Sequence, residues 1–185
     1  HAEKTTSFDI GYETYISSLD LNFNITYFDI LVEDPIMGSN ITDGQDNVPG
    51  AENKSKGIEL STNWTDKKKL NIGFNYTLTK SYSGMDCDKP EKDKFGYTSC
   101  LDSGDGWLES AMVRVPIHAL SSKINYQFSK DLDGSLMLTY KGRTRDYGGT
   151  DYSFNDQILE DYFLVDLKSS YKLFEGYNLD FSVKN

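Results

Sequence analysis

A two-residue alternation of apolar and polar side chains recurs along the whole chain and leaves little room for anything but β-structure. Leu19-Asp20-Leu21-Asn22-Phe23-Asn24-Ile25-Thr26-Tyr27 places its apolar side chains on one face, and Leu70-Asn71-Ile72-Gly73-Phe74-Asn75-Tyr76-Thr77-Leu78 repeats the pattern. Ile58/Leu60/Trp64, Ile124/Tyr126/Phe128, Leu136/Leu138/Tyr140, Phe163/Val165/Leu167 and Leu179/Phe181/Val183 do the same. An amphipathic helix needs apolar residues at i, i+3, i+4 and i+7, and no stretch shows that over two turns. The spacing predicts eight strands, over 5-16, 19-31, 56-64, 70-83, 117-128, 135-143, 162-173 and 179-185. A mean hydropathy of -0.57 with no long apolar run rules out a membrane-spanning helix, which needs roughly 20 apolar residues. It leaves open a membrane-spanning barrel, whose strands are only half apolar.

The connections choose between a soluble and a membrane β-protein. Short ones at 17-18, 65-69, 129-134 and 174-178 alternate with long polar ones at 32-55, 84-116 and 144-161. A compact soluble domain seldom carries three unstructured loops of that length. Short turns at one end and long loops at the other are the layout of an antiparallel transmembrane β-barrel. Leu21, Phe23, Ile25, Phe74, Leu138 and Val165 then suit hydrocarbon, while Asn22, Asn24, Asn71, Asn75, Asn125 and Lys168 suit a wet or filled lumen. Tyr15, Tyr27, Trp64, Tyr82, Phe128 and Tyr171 fall near strand ends, where interfacial aromatics collect. A soluble sandwich would have to cover one apolar face with a second sheet.

Charge sorts with the connections. Residues 33-53 carry five acids and no base, 84-113 seven acids and three bases, and 144-161 five acids and one base. The net charge of the chain is -10, so the long loops hold all of the negative excess. Nucleic acid is excluded as the main partner, because phosphate binding needs concentrated Lys and Arg. Asp86-Cys87-Asp88 and Asp102-Ser103-Gly104-Asp105-Gly106 offer hard oxygen ligands, but not in the spacing of a calcium loop, and no metal site is assigned. Cys87 and Cys100 are the two cysteines, close together in one polar stretch with no His nearby. They are read as a local disulfide in an oxidising compartment rather than a zinc site.

Direction gives a further expectation. A complete bacterial barrel normally has both termini on the periplasmic side, so its first connection is an external loop. Here the first connection is short, so strand one is expected to run inward, strand eight outward, and both ends to be cut from a larger barrel.

Several segments, in order, resemble the TonB-dependent outer-membrane receptors. Glu3-Lys4-Thr5-Thr6-Ser7-Phe8-Asp9-Ile10-Gly11-Tyr12-Glu13 is similar to their PEK-x-x-x-x-E-x-G-x-E strand. The segment from Asn47 through Gly50, Ala51 and Gly57 to Glu59 resembles their N-x-G-x-A-x-x-x-G-x-E strand start. Arg114-Val115-Pro116-Ile117-His118 matches R-x-P-x-H. Gly142-Arg143-Thr144-Arg145-Asp146 and the terminal Val183-Lys184-Asn185, similar to the start of V-x-N-L-F-D-K-x-Y, complete the series. The short strands and the Gly-Arg-x-x-Asp segment look most like the cobalamin-receptor branch. The resemblance implies a 22-stranded barrel around an N-terminal plug, with this chain as strands 14-21. Residues 1-185 are then the C-terminal portion of the barrel, lacking the plug, the early strands and the final strand.

The function implied is energised uptake of a scarce ligand, cobalamin or an iron-siderophore complex, in the outer membrane of a Gram-negative bacterium. The implied partners are the lipid bilayer, the plug, TonB and the small ligand, with no cofactor. A structural or passive porin-type barrel is the alternative. An enzyme is not expected, because a nucleophile needs a positioned base. His1 is terminal, His118 belongs to the R-x-P-x-H segment, and no HExxH or phosphate loop occurs. Aromatic residues in the long loops are the candidate ligand contacts, above all Tyr97 and Trp107 in the second and Tyr147 and Tyr152 in the third.

Overall fold

The computed structural model describes residues 2–38, 45–47, 51–86, 107–112, 114–147 and 156–185. Among the described residues there are thirteen strands: β1 (Lys4–Ile16), β2 (Leu21–Glu33), β3 (Ile36–Gly38), β4 (Gln45–Asn47), β5 (Ala51–Thr65), β6 (Leu70–Asp86) and β7 (Trp107–Ala111), then β8 (His118–Gln127), β9 (Leu132–Lys141), β10 (Thr144–Tyr147), β11 (Asp156–Leu159), β12 (Tyr162–Phe174) and β13 (Tyr177–Val183). Eight of them form one antiparallel sheet in the order β1-β2-β5-β6-β8-β9-β12-β13, with β7 extending the end of β6. These eight are the strands that the alternation predicts, each paired with its neighbour in sequence. The fold is an all-β meander, in the arrangement of a transmembrane β-barrel wall.

Register shows why alternation was the informative signal. Residues facing one another across an antiparallel ladder share a face of the sheet. Phe23 pairs with Thr62, Thr62 with Phe74, Phe74 with Ser122, Ser122 with Leu138 and Leu138 with Val165. The next apolar row runs from Ile25 through Leu60, Tyr76, Leu120 and Tyr140 to Phe163. One step over, on the opposite face, Asn24, Ser61, Asn75, Ser121 and Thr139 lie side by side. Asn71, Asn125, Ser135 and Lys168 form another polar row. One face is hydrocarbon-like over six strands and the other is polar.

This wall has almost no core. Among the described residues Ala51 and Pro35 are the buried apolar side chains, whereas Ile10 is 61% exposed, Phe163 51% and Leu167 47%. A soluble sandwich would bury such a face against a second sheet, and the described residues form no such second layer. Packing within the sheet is nevertheless tight at one glycine. A Cβ on Gly57 would meet the Leu78 carbonyl oxygen at 2.0 Å and the Phe28 ring at 2.7 Å, so only glycine lets β6 and the ring approach this closely.

Several boundaries differ from the sequence reading, each for a local reason. The first connection spans four residues, Ser17 to Asp20, rather than two, and β2 starts at Leu21. Asp20 takes a left-handed φ of 49° that no strand tolerates. β5 begins at Ala51 rather than 56, because its ladders to β2 and β6 continue into the long-loop end. β9 is displaced toward the chain start, Leu132–Lys141 instead of 135-143, since Ser129 Oγ accepts from the Asp131 and Leu132 amides and closes the turn early. The last turn is only Glu175-Gly176, with Gly176 at φ 84°. The long connections are also not wholly unstructured. The first holds the β3–β4 ladder, the second holds β7, and the third holds the β10–β11 ladder.

Candidate functional site

Because successive long strands are antiparallel, the four short turns all lie at one end of the sheet and the three long connections at the other. The long-loop end is the candidate site, and its base is built by two motifs far apart in sequence. Arg114, at a left-handed φ of 62°, donates its backbone N–H to the Arg145 carbonyl at 2.7 Å and its Nε–H to Asp146 Oδ1 at 3.0 Å. Gly142 donates its N–H to the His118 carbonyl at 2.8 Å, and a Cβ there would meet that same oxygen at 3.0 Å. The R-x-P-x-H and Gly-Arg-x-x-Asp segments therefore form one joint where the second long connection returns to the wall and the third leaves it. Arg143 adds an ion pair to Glu160 at 3.0 Å, at the far foot of the third loop. Sequence reasoning quoted both motifs but missed that they touch.

His118 has a structural role. Its Nδ1 lies 2.8 Å from the Tyr76 hydroxyl and its ring stacks on Tyr76, with centroids 6.1 Å apart. Both residues project on the apolar face by register, at the long-loop end. Farther out along β6 on the same face, Lys54 Nζ lies 6.0 Å from the Tyr82 ring centroid. Aromatic rings with polar tips toward the long-loop end suit a membrane-water interface.

Of the aromatic residues predicted to meet ligand, Trp107 opens β7 opposite Asp86, and Tyr147 closes β10 opposite Asp156. Both backbone positions are at the outer tips of ladders that extend beyond the main sheet. They belong to different loops. Tyr97 and Tyr152 lie outside the described residues, as do Cys87 and Cys100. Among the described residues no group of three or more His, Cys, Asp or Glu is placed to hold a metal ion.

The short-turn end is held by carboxylates. Asp66 Oδ1 accepts backbone N–H donations from Lys68, Lys69 and Leu70, each at 2.8 Å, and these hold its pKa below the ordinary carboxylate value. Asp20 accepts from the Tyr15 hydroxyl and pairs with Lys67 Nζ, both at 2.5 Å, tying the first turn to the second. Lys67 and Tyr15 hold the Asp20 carboxyl low, and Asp20 in turn raises the Lys67 ammonium pKa.

The family model described as TonB dependent receptor-like, beta-barrel matches residues 1–185. The chain belongs to that family. No curated protein matches the sequence. Among solved structures, the ferric-catecholate import receptor Fiu of E. coli K12 in its closed form aligns at TM-score 0.68 with 17% identity, covering 99% of this chain and 23% of that one. The FrpB iron transporter of Neisseria meningitidis aligns at 0.69 with 17% identity, covering 100% and 27%. The ferric yersiniabactin uptake receptor FyuA of Yersinia pestis aligns at 0.67 with 15% identity, covering 99% and 24%. The chain thus spans about a quarter of the length of these neighbours. A TonB-dependent receptor wall explains the bare apolar face, over which the described residues place no second layer.

Proposed function

We propose that this chain is part of the wall of an outer-membrane receptor that imports an iron-siderophore complex using energy relayed by TonB. Membership of the TonB-dependent receptor barrel family over residues 1–185 carries the reading. The wall's two faces support it, one fitted to lipid and one to a polar interior. The three neighbours named above are described as taking up or importing iron or iron chelates, which favours that cargo over cobalamin for this chain. In this reading the wall is strands 14-21 of a 22-stranded barrel. The plug, the TonB-contacting segment and the early and final strands are supplied by the rest of the receptor. The long loops face outward and their aromatics receive the ligand. His118 is already engaged by Tyr76 through Nδ1, which accords with a transport role rather than a catalytic one.

Uptake by cells tests this directly. Deleting the gene is expected to abolish accumulation of radiolabelled ferric siderophore under iron limitation, and deleting TonB is expected to do the same. Labelled cobalamin uptake should stay at wild-type level in the gene deletion. Siderophore uptake that persists without TonB would favour a passive porin-type barrel. Loss of cobalamin uptake alone would return the cargo to that branch.

A further inference from the structure

The apolar face dips at one place near the short-turn end. The row Ile72, Ile124, Leu136, Leu167 and Val183 carries a large side chain on each of its five strands. One row nearer the short turns, Tyr126 and Phe181 are separated by Gly134 and Ser169, two small residues side by side. They leave a hollow of about 460 Å3, bounded by Ile124, Leu136 and Leu167 in the large row and by Phe128 and Leu132 toward the turn. Tyr126 and Phe128 meet edge to face with centroids 4.8 Å apart, and a Cβ on Gly134 would meet Phe128 Cε2 at 3.0 Å. Ser169 Oγ donates to the Asp133 carbonyl at 3.1 Å, so its hydroxyl is already engaged. Lys69 Nζ donates to the Phe128 carbonyl at 3.4 Å. Lys130, in the turn just beyond Phe128, is exposed and makes no ion pair among the described residues.

We infer that this hollow holds one acyl chain of a phospholipid in the periplasmic leaflet, with the lipid phosphate against Lys130. The inference rests on the receptor reading, which turns the apolar face to lipid and the short turns to the periplasm. The volume is that of a small-ligand pocket, and the lining side chains are mostly apolar. Water gains few partners in such a hollow, and left empty it forfeits the dispersion contacts of its lining. The rows around it continue into the lipid-facing band, so hydrocarbon is the matter that reaches it. Tyr126 and Phe128 mark the interfacial level, where an acyl chain gives way to its head group. Lys130 then stands where phosphates lie, and Lys69 brings a second ammonium to the Phe128 carbonyl. Asp131, exposed beside Lys130, suits the ammonium of an ethanolamine head group.

Phosphatidylethanolamine carrying a photoreactive diazirine on one chain, in vesicles holding the full-length receptor, tests the inference. After illumination, peptide mass spectrometry is expected to find residues 124–136 and 167–169 labelled several-fold more than Leu21 and Trp64. Those two continue the Ile72 row and so lie at the same depth on the same face. Ser169→Leu fills the hollow and should bring the label down to the level of that row. Ser169→Ala leaves the hollow open and should keep the excess, whereas Lys130→Gln should lower it several-fold. Heat-modifiable gel mobility checks that each variant barrel folds. Even labelling along the row, or an excess that survives Ser169→Leu or Lys130→Gln, overturns the inference. A receptor that imports ferric siderophore yet labels evenly keeps the proposed function and loses this site alone. Excess label at the hollow without any TonB-dependent uptake keeps the site and removes the transport reading.

Discussion

At the scale of single residues, neighbours in sequence on one strand face two different solvents. Phe74 sits in an apolar row between Thr62 and Ser122, and Asn75 sits in a polar row between Ser61 and Ser121. In the intact receptor, Phe74→Arg is expected to cost about 2–4 kcal/mol of folding stability in lipid, the range for a cation at mid-depth. Asn75→Arg should cost clearly less, and a folding titration in vesicles with the two costs reversed would shift the register by one. Asp66 makes a second residue-scale prediction. Its pKa is lowered in the folded chain by three amide donations, so its stabilisation is full above the unfolded carboxylate pKa. That stabilisation is lost as pH falls through the lower, folded value. Wild type should therefore melt above Asp66→Asn at pH 7, and the gap should shrink below about pH 4. A gap that widens with acid would show that the carboxylate is not what holds this turn.

At the scale of elements, the strands were legible because alternation is a local property, and the loops were not. Every long strand was found from its own residues, with errors only at ends such as Asp20 and Ser129 where a single φ or hydroxyl decides. The joint between Arg114 and Asp146 was illegible, because its partners are 32 residues apart and only the ladder order brings them together. The gathering of Lys67, Lys68, Lys69, Lys123 and Lys168 around one hollow was hidden likewise, its members coming from a turn and two strands. Two loop-scale expectations remain to be measured. Cys87 and Cys100 are expected to form a disulfide closing about 14 residues, an entropic restriction of roughly 3 kcal/mol felt as loop order rather than barrel stability. Intact mass with and without reductant checks it, and two free thiols would refute it. Trp107→Ala and Tyr152→Ala should each weaken ferric-siderophore binding by about 1–3 kcal/mol if the rings anchor the ligand. Asn125→Ala, on the polar face beside Asn71, should leave external binding unchanged. Equilibrium binding to the full-length receptor separates these outcomes, and loss in Asn125→Ala alone would move the site off the loops.

At the scale of the whole molecule, this wall is stable only in company. Its large side chains are exposed on one face, and β1 and β13 each carry a partner on only one side. In the proposed receptor, burial by lipid and closure by further strands would supply what a second protein layer supplies in a soluble sheet. The charge layout follows the connections, with the three long ones strongly acidic and the rest of the chain net basic.

The in-order meander has a consequence for how such a wall can grow. Since each long strand is bonded to the long strands before and after it in the chain, the repeating unit is a hairpin. Inserting or deleting one hairpin widens or narrows the enclosed circle while leaving the remaining turns on the end where they already were. An odd strand, by contrast, would send every later loop to the opposite side of the membrane and invert the faces that sense the outside world. Bore width is thus adjustable in steps of two strands, and sidedness is preserved at each step.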